Sequence, residues 1–327
     1  MRLFFAAVLV MALGLVLGGY VWVSQPINLP SASADLAIEP GASARDVANA
    51  VVEAGVPINP TLLYAWFRVS GQSRQIKAGS YELEQGISPR TLLRKLVNGE
   101  EALRSVTLVE GWTFRQVMDA LRKSDQLKPQ TQGLTAEAIM EALGLPGAAV
   151  EGRFFPDTYT YSKGSADLAV LKRAAHAMDK KLAWAWAQRL PQSPLKTPEE
   201  ALILASIVEK ETGKGSDRPM VSSVFNNRLR IGMRLQTDPT VIYGLGEAFD
   251  GNLRKRDLLA DTPWNTYTRA GLPPTPIAIP GKASLLAAVQ PAQSKALYFV
   301  ARGDGTSAFS ATLDEHNRAV NKYQRGQ

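Results

Sequence analysis

Two glutamates close a run of apolar residues. Residues 197–213 read TPEEALILASIVEKETG, and Glu209 and Glu211 stand at its end. A carboxyl group in such a place can act as a general acid and base once burial lifts its pKa. Residues 201–208 are apolar apart from Ser206, so a helix here is buried nearly all round and its end emerges from a core. Thr197 reads as the N-cap, Pro198 as a first-turn residue, Glu200 as the capping-box partner and Gly213 as the stop. Glu211 continues the row of Ile203, Leu204 and Ile207, whereas Glu209 continues the thinner row of Ala201, Leu202 and Ala205 beside Ser206. Desolvation by the bulkier row favours Glu211 as the acid. The competing reading is a salt bridge from either glutamate to Lys214 or Arg218.

Polar groups crowd together after this helix. Residues 219–230 read as a short helix presenting Asn226, Asn227 and Arg228, and residues 232–244 as an irregular turn and strand carrying Gln236, Asp238 and Tyr243. Trp264, Asn265, Thr266 and Tyr267 follow, then a proline-rich loop over 271–281. Amides, carboxylates and flat rings between rigid loops suit a sugar-binding groove, although Asn, Asp, Gly and Pro also make turns. Gly281-Lys282 is no phosphate loop, because Pro276 and Ala283 break the pattern. His176 falls on a helical stretch over 166–190 and reads as structural. The chain closes with a hairpin around 303–305 and a helix from Leu313 to Tyr323 carrying His316 and Asn317.

Composition narrows the chemistry. The 327 residues are 45% hydrophobic and 20% charged, enough for one large or two modest folded domains. With no cysteine and only His176 and His316, disulfide scaffolds, thiolate zinc sites and cysteine nucleophiles are excluded, and a two-histidine zinc motif or a catalytic triad is disfavoured. A formal charge of +7 admits an anionic partner without choosing one. The dispersed basic residues and an exported chain argue against nucleic acid.

The amino terminus predicts export. From Leu3 to Val23 there is no charge, and Asp35 is the next charged residue, which is the length of a bilayer-spanning helix. Arg2 precedes the run, so the positive-inside rule places the start in the cytoplasm and the bulk outside. A cleaved signal peptide is the alternative, with Ser31-Ala32-Ser33-Ala34 as the cleavage region. A weak repeat follows: Gly41, Gly86 and Gly111 each precede a hydroxyl residue, an arginine and an aliphatic residue in the pattern G-x-[ST]-x-R-x-aliphatic. Its content is a turn glycine, a helix cap and a short amphipathic helix, with strands at 79–83 and 104–109 before the second and third copies.

The segments 205–212 (ASIVEKET), 224–244, 267–274 and the ending Phe309…Leu313…His316-Asn317 resemble the MltG (YceG-like) endolytic murein transglycosylases, and Glu151–Tyr159 extends the likeness. The resemblance implies an α+β enzyme anchored by one pass in the inner membrane, its amino terminus cytoplasmic and its catalytic domain periplasmic. The implied organisation is a transmembrane helix over 1–24, a linker over 25–36, a LysM-like peptidoglycan-contact module over 37–105, a connecting helical region over 106–150 and a catalytic domain over 151–327. It implies cleavage between N-acetylmuramic acid and N-acetylglucosamine inside glycan strands, leaving 1,6-anhydromuramic ends and terminating nascent strands. The family's catalytic glutamate is the one followed by Thr, which is Glu211, with Glu209 as fallback. Gln236, Asp238, Tyr243, Asn265, Tyr267, Asn226 and Arg228 match motif positions that would bind substrate. No metal or other cofactor is implied. The implied partners are peptidoglycan strands, the inner membrane and peptidoglycan synthases. A hydrolytic muramidase and a membrane-tethered, non-catalytic glycan-binding scaffold are the other expectations.

Overall fold

The computed structural model describes residues 2–326. The chain divides into two compact units, Met1–Arg104 with Thr160–Ser165, and Ser105–Tyr159 with Ala166–Gln327. Met1 and Gln327, the outer ends of the ranges expected for the membrane helix and the catalytic domain, lie outside the described residues.

The first unit opens with α1 (Arg2–Ser24), in which Phe4–Ser24 is long and apolar enough to cross a membrane. Its side chains from Phe4 to Tyr20 are exposed. Then come β1 (Ser33–Ile38), α2 (Ala44–Glu53), α3 (Pro60–Val69), β2 (Gly79–Glu84) and α4 (Pro89–Asn98). β1 and β2 pair antiparallel with Leu36 opposite Tyr81. Ala34, Leu36 and Ile38 are buried at every second position, so residues 33–36, expected in a linker, begin a strand; the period-two pattern outweighs their small, polar composition. That apolar face meets Val47 and Val51 of α2, Leu63 and Phe67 of α3, and Leu92 and Leu96 of α4 in one core.

The repeat has a uniform geometry. Gly41, Gly86 and Gly111 sit at φ of +84°, +83° and +78°, a left-handed conformation that glycine adopts without a Cβ penalty. Ser43, Ser88 and Thr113 then cap the following helices by accepting backbone N–H groups. A strand precedes the first copy as well as the other two.

The division between the units falls inside β3 (Leu103–Thr107) and, on the chain's return, inside β4 (Thr158–Ser162). The second unit contains α5 (Phe114–Lys123), α6 (Ala136–Ala142), α7 (Asp167–Trp186), α8 (Pro198–Glu211), α9 (Arg218–Arg230), α10 (Asp238–Leu245), α11 (Lys255–Leu259) and α12 (Lys282–Val289). The hairpin of β5 (Tyr298–Ala301) and β6 (Ser307–Ser310) and the helix α13 (Leu313–Val320) complete it. Small two-stranded sheets among many helices place the protein in the α+β class.

α8 is the axis of this unit. Ala201 to Val208 are all buried, and α7, α9, α10 and α12 pack around them. Thr197 caps its start by accepting the Glu200 N–H at 3.1 Å, while Glu200 accepts the N–H of Lys196 rather than completing the expected box. The helix ends at Glu211, two residues before the expected stop at Gly213, with Thr212 as the cap. Residues 238–245 are helical where the sequence reads as turn and strand. Pro239 in the first turn and the burial of Thr240 and Val241 outweigh the strand preference of that β-branched run.

Leu204 is fully buried in α8 whereas Leu259 is 68% exposed. Leu204→Ala should therefore lower unfolding stability by about 2–5 kcal/mol, and Leu259→Ala by no more than about 0.5 kcal/mol. Denaturant titration of the two variants checks this, and equal losses would contradict α8 as the core helix.

Candidate active site

Glu211 ends α8 with its carboxyl group mostly enclosed, and burial pushes its pKa above the ordinary carboxylate value. The hydroxyl of Thr237 donates to Glu211 Oε1 and opposes that rise, the neighbouring charge of Asp238 adds to it, and Arg228 lowers it. Thr212, the next residue, turns its hydroxyl back onto the Val208 carbonyl at 2.7 Å.

Thr237 is held from three sides. Its N–H donates to Thr266 Oγ1 at 3.1 Å, its carbonyl accepts the Thr240 hydroxyl at 2.7 Å, and the Thr240 and Thr266 hydroxyls are 2.9 Å apart. All three threonines are buried. Gln236, just before, adopts φ +49°, unusual for a residue with a Cβ, and its N–H reaches the Thr266 carbonyl at 3.1 Å. This kink points Thr237 inward and leaves the side chains of Gln236 and Asp238 exposed. The Tyr267 hydroxyl donates to Asp238 at 2.5 Å.

Arg228 is 7% exposed. Its Nε donates to the Leu297 carbonyl at 2.7 Å and its Nη1 to that of Leu235 at 2.6 Å. The guanidinium lies 5.3 Å from the ring centre of Tyr298, which stacks at 5.2 Å on His316. The structure therefore brings Glu211, Thr237, Asp238, Tyr267 and Arg228 into one cluster.

Glu209 belongs elsewhere. It accepts the Gly281 N–H at 2.8 Å and pairs with Arg218 at 3.5 Å, so the salt-bridge reading holds for this glutamate and not for Glu211. Two further expected residues are committed to the scaffold. Asn226, 1% exposed, donates to the Ser222 and Ala288 carbonyls. Asn265, fully buried, donates to the Leu258 and Ala260 carbonyls and accepts the Tyr267 N–H. Neither has surface to offer a glycan. Both sit in turns or helix faces where amide side chains satisfy buried backbone groups, a use the sequence could not separate from sugar binding.

Tyr243 is half-buried, packs edge-on against Trp264 at 5.5 Å and is hydrogen-bonded to Glu151. Glu151 is itself 5% exposed and accepts the N–H of Phe114, the first residue of α5, at 2.9 Å. Burial lifts its pKa to about 7 against these stabilising bonds. The next residue, Gly152, has φ +79° and lies so close to Pro276 that a Cβ would sit 2.6 Å from that ring. In the sequence this buried acid is only an acidic residue beside an aromatic loop, and Thr237 likewise hides among turn residues.

The model of the YceG-like family matches residues 36–322. The chain belongs to the YceG-like family. Among relatives of this YceG-like chain, an endolytic murein transglycosylase of Bacillus subtilis is 30% identical over 91% of this chain and 84% of that protein. One from Streptococcus pneumoniae is 27% identical over 86% of this chain and 57% of that protein. The crystal structure of a YceG-like protein from Listeria monocytogenes superposes with a TM-score of 0.55 at 30% identity, covering 88% of this chain and 98% of that one.

Glu151 gives the YceG-like fold a pH signature. Its raised pKa means that the fold favours its neutral form: the stability it contributes is fully present below the unfolded value near 4.5 and falls as pH rises toward and through about 7. The difference amounts to about 3 kcal/mol between those limits. Glu151→Gln should flatten the change in melting temperature between pH 5 and pH 8, and an unchanged slope in the variant would disprove the assignment.

Proposed function

We propose that this chain is an endolytic murein transglycosylase that uses Glu211 as its single acid and base. The observation that carries this reading is a carboxyl group at the end of a helix whose residues 201–208 are all buried, lifted in pKa by burial and surrounded by polar and aromatic side chains. The relatives named as endolytic murein transglycosylases support the substrate and the reaction.

Protonated Glu211 donates to the glycosidic oxygen as the bond from C1 of N-acetylmuramic acid breaks, and N-acetylglucosamine leaves with that proton. The resulting carboxylate then takes the proton of the muramic C6 hydroxyl, whose oxygen attacks C1 to close a 1,6-anhydro ring. The proton given in the first half is recovered in the second, so one carboxyl group suffices. Thr237 orients that carboxyl group, and Asp238 beside it favours the protonated form that begins the cycle. Gln236, Asp238 and Tyr267 at the surface are the residues we assign to glycan contact, with Arg228 and Tyr243 behind them as supports. Each cut ends a strand, which makes peptidoglycan synthases the natural partners.

The same reading places α1 across the inner membrane with its amino terminus in the cytoplasm, the remainder in the periplasm, and the LysM-like module over 37–105 against peptidoglycan. The length and apolar character of Phe4–Ser24 support the span, and Arg2 just before it supports the orientation.

Incubation of full-length protein with intact peptidoglycan, followed by mass spectrometry of the product ends, tests the reaction. Wild type should release internal fragments with 1,6-anhydromuramic ends, and activity should fall as pH rises through the raised pKa of Glu211. Glu211→Gln should lose about 10²–10⁴-fold in rate with its fold intact. Glu209→Gln should retain the reaction and lower the melting temperature instead. Reducing ends would identify a hydrolase with Asp238 as second carboxylate, and near-wild-type activity in Glu211→Gln would overturn the assignment.

A further inference from the structure

α3 is apolar on two faces. Leu63 and Phe67 are fully buried in the core of the first unit. A second stripe, Leu62, Ala65, Trp66 and Val69, runs at helical spacing along another side, with Leu62 51% and Val69 83% exposed. A helix apolar on both sides normally has a partner on both sides. Here the second stripe lines a groove of about 630 Å³ whose opposite wall is α1.

The wall from α1 has the same spacing. Val16, Gly19, Tyr20 and Val23 recur at intervals of three, one and three residues and face the groove. Gly19 leaves open space, since nothing lies within 4 Å of where its Cβ would be. Two polar groups complete the lining. The indole Nε1–H of Trp66 is buried without a hydrogen-bond partner, although such a group usually finds one. Arg90, at the start of α4, places its guanidinium 5.9 Å from the centre of the Tyr20 ring and remains exposed.

The helix forming one wall identifies the occupant. The groove opens along the second half of the apolar span, where Tyr20, Trp22 and Trp66 stand together as aromatic residues do at a membrane–water boundary. What lies there must be apolar along its length, must accept a hydrogen bond, and must bear a negative charge near Arg90. We propose that the groove between α1 and α3 holds a bilayer phospholipid, one acyl chain between the two stripes, its ester oxygens at Trp66 Nε1–H and its phosphate at Arg90. The first unit is thereby seated in the membrane surface through α3. This rests on the reading of α1 as a membrane span.

The chain has no cysteine, so single introduced cysteines can be spin-labelled cleanly. Full-length protein is placed in nanodiscs of phosphatidylethanolamine and phosphatidylglycerol and labelled at Leu9→Cys, at Val69→Cys or, as an aqueous reference, at Glu53→Cys. Collision with oxygen and with a water-soluble nickel chelate reports the phase around each label. The expected result is a lipid-phase signature at positions 9 and 69 and an aqueous one at 53. Native mass spectrometry of the same particles should find a retained phospholipid, reduced about fivefold by Trp66→Phe, the loss of one hydrogen bond, and reduced also by Arg90→Gln.

A lipid-phase label at position 9 with an aqueous one at 69 overturns the groove proposal and leaves the membrane span standing. Aqueous labels at both positions overturn the two together. Retention of a polyprenyl phosphate in place of phospholipid, or retention unaffected by either substitution, also overturns the proposal. Formation of anhydro ends by the same preparation tests the transglycosylase reading separately.

Discussion

Everything at the candidate site depends on the burial of α8. Eight consecutive residues, Ala201 to Val208, are withdrawn from water, so the helix has no freedom to rotate or slide without exposing Leu, Ile or Val. Whatever follows Val208 therefore has a fixed direction. Glu209 and Glu211 are two residues apart, about 200° around the helix, and face different surroundings. Glu209 accepts the N–H of Gly281 at the start of α12 and pairs with Arg218, contacts that tie the end of α8 to the scaffold. Glu211, half-buried, meets a hydroxyl and the field of Asp238, and burial there makes charge costly. One helix thus delivers a structural carboxylate and a chemically poised one.

The second constraint is the kink at Gln236. A non-glycine residue at φ +49° costs about 1–2 kcal/mol. The neighbouring hydrogen bonds of Thr237, Thr240 and Thr266 offset it. The kink turns Thr237 toward Glu211 and starts α10 immediately afterwards, so Asp238 emerges at the helix's first residue, beside Glu211 yet in contact with solvent. Strain of this kind persists where the surroundings over-determine it, as the three-threonine lattice does here.

How far the sequence could be read follows from these two features. The boundaries of α8 were legible because caps and an unbroken apolar run are local signals, and the phase of Glu211 follows from helical geometry alone. The Arg218 partner of Glu209 was within reach of the same local reading, but its Gly281 partner was not, since that residue lies 72 positions away along the chain. Residues 240–242 of α10, Thr240, Val241 and Ile242, carry a strand preference that tertiary burial overrides. Asn226 and Asn265 were of the right type for sugar binding, but their amides satisfy backbone carbonyls inside the fold. Thr237 and Glu151 were invisible for the complementary reason: their importance lies in what surrounds them, and a single threonine or glutamate announces nothing.

The G-x-[ST] repeat shows how the same local grammar can serve different ends. In each copy a left-handed glycine reverses the chain and a hydroxyl caps a short helix. In the first two copies the resulting helices bury Val47, Val51, Leu92 and Leu96 in the small core of the first unit. The third helix, α5, has a further task, because its first N–H is taken by Glu151. A helix N-terminus favours the carboxylate, while burial among apolar neighbours disfavours it, and the pKa near 7 records that burial prevails. Capping alone cannot explain a carboxylate drawn so far from water when Thr113 already caps the helix. The hydroxyl of Tyr243 supplies the other reason: Glu151 joins the start of α5 to α10, the helix whose opposite end sets Thr237 and Asp238 beside Glu211.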